Sequence, residues 1–177
     1  MPALPTPGGS TDTWGDELNE FLEVAHNANG TINAAVMVGY PHECRSVANT
    51  GITNIFAVRV WVPFRATFSK YLFYCGNATG NMDLGIYTAA GVAVTREGSF
   101  AIPGTGRQTR TITGGPVTLA PGEYIIAYQK NDGTSTFGII AATGCDLIAY
   151  TPTNTFPLSS TMTLTVGGTG ICLALLP

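Results

Sequence analysis

A chain of 177 residues suits one domain with a single core, and a 45% hydrophobic content argues against disorder over most of its length. Only 11% of residues are charged and the formal net charge is −3, so no basic cluster is at hand to neutralise a run of phosphates, and nucleic acid is excluded as a partner. No apolar run approaches the roughly 18 residues of a membrane helix, which excludes insertion by one.

The first residues, "MPALPTPGGS", carry neither the basic nor the apolar region of a secretory signal, which predicts synthesis in a cytosol. Residues 1–12 form a Pro/Gly/Ser/Thr leader without periodicity. Thr13 then offers an N-cap, with Asp16 three residues on as in a capping box. At about 100° per residue, Trp14, Leu18, Phe21, Leu22 and Ala25 share one face, and Asp16, Glu20 and Glu23 the opposite one. The asparagines and glycine of "HNANG" (26–30) stop this short amphipathic helix.

From Ile32 the period becomes twofold. "IFAVRVWV" (55–62) sets Phe56, Val58, Val60 and Val62 on one side, with Arg59 and Trp61 on the other. "ATFSKYLFYC" (66–75) reads as one aromatic-rich strand. "MDLGIY" (82–87) aligns Met82, Leu84 and Ile86, and "AAG" (89–91) turns the chain. In "GRQTRT", Arg107 and Arg110 lie three apart and so on opposite strand faces. "GEYIIAYQK" (122–130) aligns Tyr124, Ile126 and Tyr128, and "NDG" (131–133) predicts a hairpin into "TSTFGII". "MTLTV" and "ICLALLP" close the chain, the last run reading as a buried strand. Eight to ten short strands with Gly-, Pro- and Asn-rich turns predict a mainly β protein, an antiparallel, jelly-roll-like β-sandwich over 32–177 preceded by one helix, with a closed barrel as runner-up. Residues 1–31 form the leader and assembly segment.

Cys44, Cys75, Cys145 and Cys172 are widely spaced and contain no C-x-x-C; an even count permits two disulfides in any of three pairings, and without a secretory signal free, partly buried thiols are the better reading. His26 sits where the helix dipole favours a cation, and adjacent His42, Glu43 and Cys44 point in alternating directions, so neither histidine predicts catalysis or a metal site. Glycoside hydrolysis needs two carboxyls across a groove. Asp83 and Glu97 could pair across strands, but nothing separates them from solvated surface acids. No enzyme, metal or cofactor is therefore expected. Trp61, Tyr71, Tyr74, Tyr87 and Tyr128 are candidate ligand platforms, with Trp61, Tyr74 and Tyr87 preferred, and core packing explains each equally well.

Two phrases, "PTPGGSTDTWGDELNEFL" and "AHNANGT", resemble the N-terminal region of structural proteins from tailed bacteriophages, in the pattern T-W-G-x-x-L-N-x-F-L followed by A-H-N-x-x-G-T. The resemblance covers roughly residues 5–31, and beyond them only phrases such as "GNMDLGIYTAAGVAV" and "TLAPGEYIIAY" are similar in kind to phage β modules. It implies a non-enzymatic virion component, made in the host cytoplasm and homotrimeric, of the capsid-decoration, short-fibre or tail-tip type. Trp14, Leu18, Phe21 and Leu22 would be its assembly or attachment anchors, with other virion proteins as partners. A receptor-binding tip for host surface glycan or protein is the alternative, with exposed aromatics expected on loops around Tyr74–Asn81 or Asn131–Thr134. A glycan-degrading enzyme is the remote one.

Overall fold

The computed structural model describes residues 38–39, 46–49, 55–141, 148–151, 156–163, 165–166 and 169–177. The helix expected over 13–25, and with it Trp14, Leu18, Phe21 and Leu22, lies outside the described residues. Within them the chain is all strand and loop, and the strands number sixteen where eight to ten were expected. They are β1 (Val38–Gly39), β2 (Ser46–Asn49), β3 (Ile55–Val62), β4 (Ala66–Phe68), β5 (Lys70–Asn77), β6 (Asn81–Thr88), β7 (Ala93–Arg96) and β8 (Phe100–Ala101). There follow β9 (Gly106–Thr111), β10 (Val117–Leu119), β11 (Gly122–Lys130), β12 (Thr136–Ala141), β13 (Ile148–Thr151), β14 (Thr165–Val166), β15 (Thr169–Ile171) and β16 (Leu173–Leu176).

The strands pair antiparallel in two seven-stranded sheets and one ribbon. The first sheet runs β1-β16-β5-β12-β15, with β9 along the other edge of β5 and β2 beside β12. The second runs β14-β13-β3-β11-β6-β7, with β8 beside β6, and β4 pairs only with β10. One predicted strand is in fact two: the run 66–75 breaks at Ser69, whose amide donates to Leu176 O and whose carbonyl accepts from Ile112 N. Those bonds switch the chain from the ribbon to the first sheet, a change that hydrophobic alternation alone cannot reveal.

The twofold pattern decides which side chains meet between the sheets. Phe56, Val58, Val60 and Val62 of β3, Met82, Leu84 and Ile86 of β6, and Ile126 and Tyr128 of β11 supply one side of the main apolar cluster. Tyr71, Phe73 and Cys75 of β5, Phe137 of β12, and Leu173 and Leu175 of β16 supply the other. Tyr128 lies between Phe56 and Phe137, with ring centroids 5.5 and 4.5 Å away. The buried closing strand is as expected, seated between β1 and β5. Of the cysteines, Cys75 is a buried free thiol, its pKa pushed up to about 12 by burial. Cys172, expected free, is in a disulfide whose partner lies outside the described residues; linear spacing carries no information on which thiols the fold brings together.

Neither Asp83 nor Glu97 is a solvated surface acid. The Glu97 carboxylate lies between the edges of the two sheets, accepting from Arg110 Nε at 3.2 Å, Thr113 N at 2.8 Å and Thr113 Oγ1 at 2.6 Å. The Arg110 guanidinium in turn covers the Phe100 ring, 4.3 Å from its centroid. Asp83 is fully buried on the outer face of the second sheet, beneath segment 156–163.

That segment is a strap. Leu158 and Met162 pack on Ile55, Ala57, Tyr87, Ile125 and Ala127, the side chains of β3, β6 and β11 that face away from the main cluster. Leu158 N donates to Asp83 Oδ2 at 2.9 Å, Tyr87 Oη to Ser159 O at 2.8 Å, and Arg96 to Leu158 O. Backbone bonds Ala93 N to Ser160 O and Met162 N to Gly91 O complete it. Gly91 has φ +78°, and a Cβ there would stand 2.1 Å from Met162 O, so glycine is required on both counts.

Candidate functional site

Residues 131–133 were expected to turn a hairpin into the next strand. They do not, because β11 belongs to the second sheet and β12 to the first. The turn is a corner that carries the chain from one sheet to the other. Residues 78–80 make a second such corner, from β5 to β6. The two corners lie against each other, and the bonds between them come from short polar side chains.

Asp132 is the centre of this apex. Its Oδ1 accepts from Thr79 Oγ1 at 2.9 Å and Thr134 N at 2.8 Å, and its Oδ2 from Ser135 Oγ at 2.7 Å. Partial burial opposes its charge, but hydrogen bonds from the hydroxyl and amide of Ser135, the amide of Thr134 and Thr79 outweigh this and hold its pKa well below the usual carboxylate range. Thr79 and Thr134 share a hydroxyl bond of 2.6 Å, and Asn77 Nδ2 reaches Thr134 O at 3.4 Å. Asn131 and Asn81 bridge the corners twice: Asn81 N donates to Asn131 Oδ1 at 2.8 Å, and Asn131 N to Asn81 O at 3.0 Å. Gly80, at φ +69°, leaves room for this approach, since a Cβ would meet Asp132 Oδ2 at 2.7 Å. Beneath the corner, buried Lys130 donates from Nζ to Ser135 O at 2.5 Å; burial lowers its pKa and nearby Asp132 partly restores it.

The aromatic candidates are not gathered here. Trp61 is 65% exposed on the outer face of the second sheet, beside the Arg59–Glu123 ion pair of 2.8 Å. Tyr74 is 37% exposed on the outer face of the first sheet, level with Arg107. Tyr87 is fully buried under the strap, and Tyr71 and Tyr128 are in the main cluster, which removes all three from the accessible surface. The two loops named from sequence do meet, yet their tips carry amides, hydroxyls and one carboxylate in place of aromatics. The run "NDGTS" signals a turn, and nothing in it signals that the turn crosses sheets and meets residues 77–81.

Chemically, the apex offers hydrogen-bond donors and acceptors on a rigid support. Asp132 has its lone pairs occupied by neighbours, so it organises the loops and is not poised as a base. Among the described residues no group of three or more His, Cys, Asp or Glu side chains converges as a metal would need. No protein-family model and no curated protein matches the chain.

Proposed function

We propose that this chain is a non-enzymatic structural protein of a tailed-phage particle, carried on the particle exterior as a homotrimeric capsid-decoration or short-fibre protein. The carrying observation is the resemblance of residues 5–31, "TWGDELNEFL" and "AHNANGT" above all, joined to a body built of antiparallel sheets. In this reading residues 32–177 are a jelly-roll-like β-sandwich. Residues 1–31 are the assembly segment, with Trp14, Leu18, Phe21 and Leu22 as its contact stripe. Antibody labelling and imaging of particles tests it: label on the head or tail exterior is the expected outcome, and particles free of label while the protein accumulates in lysate would overturn it. Light scattering tests the assembly role, which fails if the protein is a strict monomer at micromolar concentration and unchanged by deletion of residues 1–31.

A second reading, a receptor-binding tip for host surface glycan or protein, has one observation in its favour. The apex of Asn77, Thr79, Asn131 and Thr134 presents amides and hydroxyls of the kind that bind polyols, and Trp61 adds an exposed ring elsewhere on the body. Binding of folded protein to host cells, lost on Thr79→Ala with Thr134→Ala, is expected under that reading. Absence of binding by the correctly assembled protein would remove it.

A further inference from the structure

The outer face of the second sheet carries the largest exposed apolar side chain of the described residues. Trp61 stands directly opposite Glu123 on β11, and Arg59, two residues back along β3, stands opposite Ile125. Ile125 lies under the strap with Leu158 and Met162, so the strap borders the row of Trp61 and Glu123. Arg59 Nη1 donates to Glu123 Oε1 at 2.8 Å, with the two side chains 38% and 39% exposed. Neither makes a second hydrogen bond among the described residues, which leaves Glu123 Oε2 and the remaining Arg59 N–H groups open to a ligand. The other large exposed apolar side chains lie elsewhere. Tyr74 is on the outer face of the first sheet, and Val92 and Val94 are at β7, three strand spacings or roughly 14 Å from β3. Trp61 is thus a single ring set among polar groups, unlike the broad apolar centre of a protein interface.

We infer that Trp61, Arg59 and Glu123 form a subsite for a neutral hexopyranose unit of a glycan. The indole stacks on the apolar C–H face of the sugar ring, and the ion pair binds its hydroxyls. A donor and an acceptor fixed side by side suit a vicinal diol, because each hydroxyl can both give and accept a hydrogen bond. The two charges cancel, which selects against ionic ligands. An anionic sugar or a nucleotide phosphate would meet the Glu123 carboxylate and would have to draw Arg59 away from it. The platform is also pre-organised, since β3 and β11 stay in register from Val62 and Gly122 to Phe56 and Tyr128. This subsite is on the sheet face, apart from the polar apex. The inference rests on the receptor-binding reading for the source of the glycan, and deepens it by naming the sugar class and the side chains that hold it.

The chain has two tryptophans, so the indole N–H signal of Trp61 is identified in the nitrogen-15 NMR spectrum of the full chain by its loss in Trp61→Phe. The probes are the methyl glycosides of glucose, galactose, mannose and N-acetylglucosamine at millimolar concentration, with a methyl sialoside as the anionic control. At least one neutral glycoside is expected to shift the Trp61 signal saturably. Trp61→Ala should weaken that binding at least tenfold and Glu123→Gln at least threefold, both at exposed positions that leave the core intact. No shift with any of the four, or equal binding by Trp61→Ala, overturns the inference. Tighter binding of the sialoside overturns the ligand class, and a Trp61→Ala variant whose only change is its oligomeric state assigns the ring to a protein interface instead. Host-cell binding separates this site from the reading it rests on. Cell binding lost on Thr79→Ala with Thr134→Ala, but untouched by Trp61→Ala, removes the subsite and leaves that reading. Glycoside binding at Trp61 by assembled protein that does not bind host cells does the reverse.

Discussion

Asp83 and Tyr71 show how single buried polar groups set the pH response and stability of this protein. Burial pushes the Asp83 pKa up to about 6 from 3.8, outweighing the amide of Leu158, the backbone of Gly98 and Leu84, and the Arg96 charge, which all pull it down. The folded state therefore holds a proton that the unfolded chain releases between those two values. Stability must fall as pH rises through this window, with the penalty complete above about 6 and absent below the unfolded value, a difference of at most about 3 kcal/mol. Urea midpoints at pH 5 and 7.5 should show wild type losing stability at the higher pH, and Asp83→Asn should flatten that dependence. The Asp132 contribution runs the other way, being lost only as pH drops below the ordinary carboxylate range, so the two are separable. Tyr71 buries its hydroxyl with no hydrogen-bond partner among the described residues, and burial, then the charges of Glu97 and Asp83, push its pKa up. Tyr71→Phe keeps the ring and removes the orphan, so it should stabilise the protein by about 1 kcal/mol in the same denaturation assay.

Among elements, the strap 156–163 and the paired corners carry the structural surprises. Gly91→Ala would press a methyl onto Met162 O at a backbone angle unsuited to alanine. The strap should lift, seen as faster amide exchange at Ala93 and Met162, with a loss of about 2 kcal/mol or more. Exchange unchanged at those two amides would show that the strap tolerates displacement. At the apex, Asp132→Ala leaves the amides of Thr134 and Ser135 and the hydroxyl of Thr79 without their acceptor. The expected cost is about 1–3 kcal/mol, with exchange rising at residues 131–135 and 78–81 together, since one carboxylate ties both corners. Sequence pattern was a good guide to strand faces: the inward sets on β3, β6 and β11 match the alternation of Val, Ile, Leu and aromatic residues. It misled wherever identity depends on a distant partner. "NDG" favours a tight turn whichever sheet the next strand joins, and Tyr87 has the composition of a surface aromatic until Leu158 and Ser159 close over it.

For the whole molecule, the fold class was legible because twofold alternation is a local property, whereas the apex and the strap join residues separated by 50 to 75 positions. The pairing of Cys172 was hidden for the same reason, while Cys75 is the buried free thiol expected of it. Cys172→Ser should lower stability by about 2–4 kcal/mol, and reductant should bring wild type down to the level of the variant while leaving the variant unmoved. The placement of β16 has a further consequence, for biogenesis. Leu173 pairs with Phe73 and Leu176 with Lys70, roughly a hundred residues earlier, which is a slow kind of contact to form. While the chain is on the ribosome, β5 can be held on one side by β9 and at Cys75–Asn77 by β12, but its other edge along Lys70–Phe73 stays open until Leu176 has left the exit tunnel. Nascent chains thus pass through a stage with an apolar strand edge in water, the stage at which chaperones or a partner copy would meet this protein first.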